Sequence, residues 1–385
     1  MMQYLFWASL VLLFYIYFGY PLVIKALAYA RPKPVKRSYN DHPTVSILIA
    51  AYNEASDIEA TLRNKLALDY PTNKLEILVV SDESDDGTDS IVQSVSKEAQ
   101  CPVRLFRQVP RQGKTAGLNL LKEQAVGEIL AFSDANSQWD AKALLHLVSN
   151  FADPDVGYVT GKMVYVNSDG SLVGDGCSAY MKYENWLRHQ ETAAGSVVGV
   201  DGGIDAMRKA LYQPLNADQL PDFVQPLKVV EQGFRVVYEP SALLKEDTNK
   251  DSGSEFSMRV RVSLRALWAL SDMAHLMNPL RFGLFAFQLI SHKLLRYLAF
   301  VPLATFTLAS LLLVFEGGIY TASFIGLVAL YVFGWLGANS VEAGNKSSAL
   351  YSIPYYFLLL NLTSFKATAA FLRGEKKVIW KPRKG

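Results

Sequence analysis

The sequence predicts an α/β protein with a mostly parallel sheet flanked by helices, and with transmembrane helices at the N-terminal and C-terminal ends of the chain. Three observations predict it: short β-branched apolar runs that end in polar residues, helical patterns between these runs, and long uncharged stretches near both termini. Buried strands that alternate with helices are typical of parallel sheets. Charged residues make up only 19% of the 385 residues, below the roughly 25% of ordinary soluble domains, which indicates membrane segments.

The first membrane segment is predicted within residues 1–30, as a helix over about residues 4–26. No charged residue occurs from Met1 to Ile24, and about 20 apolar residues suffice to cross a bilayer. A cleaved signal peptide is the alternative, although the segment lacks a basic start and its apolar stretch is too long. A basic cluster follows, made of Arg31, Lys33, Lys36 and Arg37. By the positive-inside rule, this cluster predicts that the next domain is cytosolic.

A transmembrane region is predicted over residues 297–372. Tyr297–Phe315 and Gly317–Val341 are uncharged and separated only by Glu316, which predicts two spans in a hairpin. A third uncharged stretch, Ser347–Phe365, either crosses the bilayer or lies in its interface. The basic tail over residues 373–385 favours the interface, because crossing would place its charges outside.

The segment before this region, residues 251–296, mixes basic residues with tryptophan, leucine and phenylalanine. This pattern predicts amphipathic helices on the cytosolic membrane surface, with a soluble helix pair as the alternative.

The cytosolic domain is predicted over residues 40–250. Thr44–Ala51, Leu75–Val80 and Glu128–Phe132 are apolar runs of the kind found in buried strands, and each is followed by polar or acidic residues. Ligands of open α/β sheets bind beyond the carboxyl ends of the strands, so the site is expected there. No Gly-x-Gly-x-x-Gly or phosphate-loop pattern stands at a strand-to-helix turn, which removes the main support for a dinucleotide-binding enzyme or an NTPase.

Charge and cysteine usage exclude other classes. The 38 basic and 36 acidic residues give a formal charge of +2, so no nucleic-acid partner is expected. Cys101 and Cys177 lie far apart without a C-x-x-C spacing, so neither a zinc site nor a disulfide scaffold is indicated.

The candidate chemistry lies in loops and at strand ends, where side chains are displayed: Asp82, Asp134, Asn136 and Asp222. A carboxylate and an amide oxygen two residues apart can share a divalent cation, which would neutralise a leaving diphosphate. Taken alone, the Asp134-Ala135-Asn136 segment fits a short Asx-turn without metal better.

Five segments together resemble the membrane-bound family-2 glycosyltransferases, a group with cellulose, hyaluronan and poly-N-acetylglucosamine synthases and ceramide glucosyltransferase. The segments are residues 51–54, 79–88, 113–119, 134–136 and 233–240. The resemblance runs from about Val45 to Leu270 and implies a GT-A type fold. It also implies transfer of a sugar from a nucleotide-sugar donor, with a lean to UDP-sugars.

The resemblance assigns donor-binding roles. Asp82 matches an aspartate that binds the uracil and ribose of the donor, and Tyr52 and Glu54 match the loop that flanks the nucleoside. Lys114 matches a diphosphate-binding lysine, for which a flexible ammonium is suited. These four residues are therefore expected to line the donor site.

The resemblance also assigns a metal site for Mg²⁺ or Mn²⁺. Asp134 matches the first residue of the Asp-x-Asp metal motif, whereas Asn136 departs from the second aspartate. A neutral oxygen can still ligate either ion, so both residues are expected as metal ligands.

On the acceptor side, Gly202 and Gly203 resemble a glycine motif that leaves room for the sugar, with a tight turn before a helix as the alternative. Asp222, 11 residues before Gly233, has the family spacing of the catalytic base, although Pro221 replaces the usual glutamate. A direct displacement with inversion needs such a base to take the proton of the acceptor hydroxyl. Asp218 is the competing candidate.

Many polymerising members carry Gln-x-x-Arg-Trp before the membrane hairpin. This chain keeps an arginine there, Arg265, with Arg261 nearby, but neither the Gln nor the Trp position. Both arginines are predicted to bind the donor diphosphate, while the marker of processive polymerisation is lost.

The sequence thus predicts an inverting glycosyltransferase in the plasma or inner membrane, with a cytosolic catalytic domain. Its expected partners are a nucleotide-sugar donor, a saccharide or glycolipid acceptor, the lipid bilayer and polysaccharide-assembly proteins. A processive polysaccharide synthase stays open, as does a nucleotide-sugar-binding regulatory protein without transfer activity.

Overall fold

The structure is a computed structural model that describes residues 1–166, 176–247, 252–342 and 348–376. Within these residues the chain forms two compact units. The α/β unit comprises residues 31–166 and 188–247, and the helical unit comprises residues 1–30, 176–187, 252–342 and 348–376. Residues 377–385 of the predicted basic tail lie outside the described residues.

The α/β unit is built on an eight-stranded sheet with the order β3-β2-β1-β4-β7-β6-β8-β5. Its strands are β1 Val45–Ala51, β2 Leu75–Ser81, β3 Val103–Arg107, β4 Ile129–Asp134, β5 Gln138–Trp139, β6 Val156–Val166, β7 Asp205–Arg208 and β8 Arg235–Asp247. The first four strands pair in parallel with one another, whereas β7 runs antiparallel to both β4 and β6. The three predicted strands are confirmed as β1, β2 and β4.

The described helices connect the strands of the sheet and form most of the helical unit. They are α1 Met2–Ala30, α2 Ile58–Leu66, α3 Thr88–Glu98, α4 Lys114–Gln124, α5 Ala143–Ser149, α6 Gly176–Ala194, α7 Pro221–Glu231, α8 Ser252–Asp272, α9 Pro279–Tyr297, α10 Phe300–Leu312, α11 Gly318–Glu342 and α12 Ala349–Leu372.

The core of the α/β unit lies around β1 and β2, in which all seven residues of each strand are buried. Ile47, Ile49, Ile77 and Val79 belong to one apolar cluster with residues of the covering helices. Full burial of such a side chain stabilises the fold by about 1.5–3 kcal/mol. The carboxyl ends of these strands are therefore held rigidly, and the loops that follow them have a firm base.

In the helical unit, α1 and the segment Gly318–Ser340 of α11 are long and apolar enough to cross a membrane. The predicted spans at the N-terminus and over Gly317–Val341 correspond to them. The third span differs from its prediction over Tyr297–Phe315, because α10 is only 13 residues long. At 1.5 Å per residue it is too short for a bilayer core of about 30 Å.

The apolar character instead begins further upstream, at α9. Together α9 and α10 pass the same test as a pair bent by 56°, which is either one broken span or a re-entrant loop. The segment expected to be a surface helix thus contains part of an apolar pair. Further along, α12 is a continuous helix through Pro354, and its position in the bilayer or its interface stays a prediction.

Candidate active site

The loops after β1 and β2 are hydrogen-bonded to each other. The side chain of Asn53 donates to Asp85 over 2.8 Å and accepts from the backbone N–H of Asp85 over 3.0 Å. The N–H of Glu54 donates to the hydroxyl of Thr88 over 3.0 Å. Asn53 has a φ of +54°, which asparagine adopts more readily than most residues. These bonds hold Tyr52 and Glu54 next to the loop that begins at Asp82.

Asp82 lies almost fully buried, at 2% exposure, at the end of β2. Its carboxylate accepts hydrogen bonds from one side-chain amide, two backbone N–H groups and one guanidinium, which belong to Gln108, Gln112, Gly113 and Arg111. Asp82 therefore shapes the 108–113 loop in this conformation. Its predicted contact with the uracil and ribose stays a prediction.

Arg111 also stacks on Tyr52, with the guanidinium carbon 3.3 Å from the ring centroid. Its Nε donates to Asp82 over 3.1 Å, so a planar cation lies between these two predicted donor residues. Cation–π contacts of this kind stabilise by about 0.5–2 kcal/mol. The aromatic face that could stack a nucleobase is covered by Arg111.

Lys114 is the first residue of α4 and connects two carboxylates. Its Nζ lies 2.7 Å from Oδ1 of Asp134, at the end of β4, and 3.4 Å from Oδ2 of Asp222. Burial lowers the pKa of Lys114, but the two carboxylates more than offset this, so that its pKa is raised. The site thus holds a permanent cation where two anions converge.

Asp222 is the second residue of α7, after Pro221. Proline is well suited to the first helical position, and a carboxylate in the first turn is stabilised by the helix dipole. The loop before this helix is fastened to α4, because the hydroxyl of Thr115 donates to the carbonyl of Gln219 over 2.9 Å. This arrangement brings Asp222 to Lys114. The role of Asp222 as the base, with Asp218 as the competing candidate, stays a prediction.

Gly202 and Gly203 lie beside the same two carboxylates. They have φ values of +74° and +70°, which favour glycine. A Cβ at Gly202 would come within 3.2 Å of Oδ2 of Asp222, and one at Gly203 within 3.2 Å of Oδ2 of Asp134. The two glycines therefore leave space beside Oδ2 of each carboxylate, and their acceptor-binding role stays a prediction.

The metal ligands predicted from the sequence lie at the end of β4. Asp134 is the last residue of the strand and Asn136 lies in the turn that follows, and both are half-buried. Among residues 1–166, 176–247, 252–342 and 348–376, no group of three or more His, Cys, Asp or Glu side chains could hold a metal. A divalent cation would thus need ligands from the donor diphosphate in addition to Asp134 and Asn136.

Sequence reasoning missed Asp205, a fully buried carboxyl group on β7. Neither of its oxygens has a hydrogen-bond partner of good geometry in the described part of the chain. Burial, and then the charge of Asp222, raise the pKa of Asp205 to about 8. The sequence signal that could have pointed to Asp205 is its position two residues after Gly203.

Lys65 was missed as well, because a lysine in an amphipathic helix reads as a surface residue. It is fully buried, and its ammonium donates to the carbonyl of Ser137 over 2.7 Å and to Oδ1 of Asn64 over 2.9 Å. Burial lowers the pKa of Lys65 well below its usual value, although Asp134 acts in the opposite direction. Through the bond to Ser137, Lys65 holds the turn that follows Asp134.

Arg261 and Arg265 lie on α8, in the helical unit. Their predicted binding of the diphosphate stays a prediction.

The comparisons with known proteins show what this chain is similar to. Residues 46–212 match the model of glycosyl transferase family 2. A beta-monoglucosyldiacylglycerol synthase of Trichormus variabilis is 31% identical over 186 residues, which are 48% of this chain and 40% of that relative. A poly-beta-1,6-N-acetyl-D-glucosamine synthase of Staphylococcus aureus is 27% identical over 295 residues, which are 71% of this chain and 69% of that relative.

Among solved structures, a mannosyltransferase of Pyrobaculum calidifontis, PcManGT, matches 93% of this chain and 98% of its own with a TM-score of 0.70 and 23% identity. That similarity shows the fold and confirms the predicted fold class. The chain spans less than half the length of the first glucosyldiacylglycerol synthases it matches, 40% in each case. Residues 46–212 are therefore similar to glycosyl transferase family 2, and the fold around them is that of PcManGT.

Proposed function

We propose that this protein transfers a sugar from a nucleotide-sugar donor, a UDP-sugar, to a saccharide or glycolipid acceptor at a membrane, with inversion at the anomeric carbon. The observation that carries the proposal is the contact of one ammonium, Lys114, with both Asp134 and Asp222. One carboxylate faces the expected metal and diphosphate, and the other can act as a base. The named relatives make a glycolipid and a polysaccharide, which supports both acceptor classes.

Asp222 is the general base in this proposal. It takes the proton of the acceptor hydroxyl while the hydroxyl oxygen bonds to the anomeric carbon and the bond from that carbon to the diphosphate breaks. The proton ends on Asp222, and the electron pair leaves with the nucleoside diphosphate. The space left by Gly202 at Oδ2 of Asp222 is the route by which the hydroxyl reaches the base.

Lys114 binds the departing diphosphate. Its ammonium now pairs with Asp134 and Asp222, and a donor diphosphate would compete for it as a stronger acceptor of charge-assisted hydrogen bonds. When the ammonium turns to the diphosphate, Asp222 loses a cationic partner and becomes a better proton acceptor. Donor binding and activation of the base are thereby coupled through one side chain.

Tyr52, Glu54 and Asp82 form the nucleoside end of the donor site. The guanidinium of Arg111 covers the ring of Tyr52, so a stacked base would take its place. Arg111 donates to Oδ2 of Asp82, which also accepts from the N–H of Gly113. Displacement of the Arg111 side chain would therefore leave room at this oxygen for the imide N–H of uracil.

A divalent cation, Mg²⁺ or Mn²⁺, would be held by Asp134 and Asn136. The residues fit it, because the missing side chain of Gly203 leaves room beside Oδ2 of Asp134, while Oδ1 contacts Lys114. When bound, the ion supplies charge that stabilises the leaving diphosphate. PcManGT was solved with GDP-Man and Mn²⁺, which supports the use of a divalent ion.

The protein acts as an integral membrane enzyme in this proposal, with its catalytic domain in the cytosol. The two candidate spans and the basic cluster after α1 support this orientation. A processive polysaccharide synthase is the second candidate, favoured by the poly-N-acetylglucosamine synthase that matches 71% of this chain. Product length on a gel, with a radiolabelled donor, separates a single transfer from polymerisation.

The test uses the full chain purified in detergent, with Mn²⁺ and radiolabelled UDP-glucose, UDP-N-acetylglucosamine or GDP-mannose. One donor is expected to be hydrolysed or transferred by the wild type. Asp222→Asn should lose at least about a hundredfold of the rate, as removal of a general base does, while binding of the nucleoside diphosphate persists.

Asp218→Asn is the matched control, because it removes a carboxylate of the loop just before α7 and should keep the rate. Loss of rate in Asp218→Asn but not in Asp222→Asn would overturn the assignment of the base. Absence of turnover with every donor, despite nucleotide binding, would favour a regulatory protein.

A further inference from the structure

Trp139 lies at the end of the segment that begins with Asp134 and is almost fully buried, at 3% exposure. With Gln138 it forms the short strand β5, in which Trp139 pairs with Leu244 of β8. The N–H of a buried indole usually finds a hydrogen-bond acceptor, and here it donates to the carbonyl of Gly203 over 2.8 Å. One side chain thus links the segment after Asp134 to a glycine beside the carboxylates of the site.

The last turn of α2 holds this segment through its main chain. The side-chain amide of Asn64 accepts from the N–H of Trp139 over 2.8 Å and donates to its carbonyl over 2.9 Å. The ammonium of Lys65 donates to the carbonyl of Ser137 over 2.7 Å and lies 4.7 Å from the centroid of the Trp139 ring. Residues 137–139 are therefore fixed to α2 by contacts that do not involve Gly203.

The main chain of Gly203 packs against the same segment. A Cβ at this position would lie 3.2 Å from Oγ of Ser137, 3.2 Å from Oδ2 of Asp134 and 3.1 Å from Cδ2 of Leu244. Since Gly203 has no side chain of its own, the bond from Trp139 to its carbonyl orients it on this surface. The position of Gly203 relative to the carboxylate of Asp134 therefore depends on Trp139.

Building on the function proposed above, we propose that Trp139 is a positioning residue for sugar transfer. Its indole N–H holds Gly203 against the turn after Asp134 and thereby sets where the acceptor meets the donor. Gly202, the neighbour of Gly203, leaves the space at Oδ2 of Asp222 through which the acceptor hydroxyl reaches the base. A shift of Gly203 would move this space, and a displacement of about 1 Å at the reacting groups can cost about a hundredfold in rate.

Trp139→Phe removes the indole N–H and keeps a buried aromatic ring. The bonds from Asn64 and Lys65 persist, because they are made to main-chain groups of residues 137 and 139. The turn after Asp134 thus stays in place, and only Gly203 is released. The substitution therefore separates the acceptor side of the site from the donor side.

Transfer of the sugar and hydrolysis of the donor should respond differently to this substitution. In hydrolysis, the oxygen of water bonds to the anomeric carbon in place of the acceptor hydroxyl, a water proton passes to Asp222, and the nucleoside diphosphate leaves with the electron pair. Water needs no alignment by Gly203. Transfer should therefore slow down in Trp139→Phe, whereas hydrolysis should continue.

The test uses the full chain purified in detergent, with Mn²⁺, the radiolabelled donor that the wild type turns over, and either dioleoylglycerol or an N-acetylglucosamine trisaccharide as acceptor. Trp139→Phe is expected to lower the ratio of transfer to hydrolysis by about tenfold or more, while calorimetric binding of the nucleoside diphosphate stays unchanged. The ratio does not depend on how much of the protein is folded, because unfolded protein contributes to neither rate.

Trp268→Phe is the matched control. The indole N–H of Trp268 also donates to a main-chain carbonyl, that of Glu375, over 2.8 Å, but this bond lies in the helical unit. Its removal should leave the ratio of transfer to hydrolysis unchanged. Replacement of Trp139 by 3-benzothienylalanine, which has the shape of tryptophan and no N–H, keeps the test valid if Trp139→Phe fails to fold. It should lower the ratio as Trp139→Phe does.

Hydrogen exchange followed by mass spectrometry reports on the same contact without turnover. Loss of one hydrogen bond corresponds to about two- to tenfold in a local opening equilibrium. Exchange at residues 199–205 should therefore rise by this factor in Trp139→Phe. Exchange at residues 45–51, which form the buried strand β1, should not change.

A wild-type ratio of transfer to hydrolysis in Trp139→Phe would overturn the proposal. So would an equal fall of both rates, which a merely structural role predicts, or an equal fall of the ratio in Trp268→Phe. If the wild type transfers to neither acceptor, the proposed function fails instead, and unchanged exchange at residues 199–205 would then overturn the role of Trp139.

Discussion

The buried carboxyl group of Asp205 makes the stability of the α/β unit depend on pH. Its pKa is raised from 3.8 to about 8, first by burial and then by the charge of Asp222. Below about pH 4 the group is protonated in both the folded and the unfolded chain. At higher pH the unfolded chain releases the proton while the folded chain keeps it, so the free energy of unfolding falls until the pH passes about 8.

The magnitude follows from the same values. Each pKa unit corresponds to about 1.4 kcal/mol, so at pH 7 the raised pKa of Asp205 lowers the free energy of unfolding by up to about 4 kcal/mol. An amide has the shape of a protonated carboxyl and cannot ionise. Asp205→Asn should therefore be more stable than the wild type by up to this amount at pH 7, and equally stable at about pH 4.

The assay is thermal unfolding of the full chain in detergent between about pH 5 and pH 8. For a unit of this size the expected difference corresponds to about 10 °C at neutral pH. Asp201→Asn is the contrasting variant, because Asp201 forms an ion pair of 2.6 Å with the buried Arg188. Removal of one partner of a buried pair should destabilise the fold by about 3–5 kcal/mol.

The two buried aspartates should thus respond in opposite directions. The reasoning would be refuted if Asp205→Asn were no more stable than the wild type at pH 7, or if its advantage did not grow as the pH rises.

Three further substitutions test the site. Lys65→Met should remove the hydrogen bond to the carbonyl of Ser137 and lower the free energy of unfolding by about 1–3 kcal/mol. Lys97→Met, at an exposed position, should not change the melting temperature. Gly203→Ala should reduce the rate of transfer at least tenfold, because its Cβ would lie 3.2 Å from a carboxylate oxygen. Gly233→Ala, at a glycine with a φ of +89° and open space around it, should retain the rate. Equal losses of rate in the two variants would refute the role of the space at Gly203. Lys114→Gln should weaken calorimetric binding of UDP by about tenfold and leave that of uridine unchanged, and an equal loss for both ligands would contradict a diphosphate role.

The fold class could be predicted because its signals are local. Continuous β-branched runs predict buried strands, and the structure confirms β1, β2 and β4 within one or two residues of the predicted bounds. The uncharged N-terminal stretch likewise corresponds to a helix long enough to cross a membrane. Composition and period determine these elements without knowledge of what packs against them.

The bent pair α9 and α10 was not predicted, because an apolar composition does not show where a helix breaks. The helix breaks directly after Tyr297, the first residue of the stretch that is uncharged to Phe315. Lys65 and Asp205 were not predicted for a related reason. Charged side chains are rarely buried, and only packing shows the exceptions.

The sequence by itself determined the strands, their polar carboxyl ends and the candidate residues, since these depend on neighbours along the chain. Only the tertiary structure decided that Asp134 and Asp222 meet on Lys114, that Asp82 holds a loop, and that Lys65 is buried behind the turn. Such contacts join residues far apart in the chain. They depend on how helices and loops pack on the sheet, which local pattern and composition do not specify.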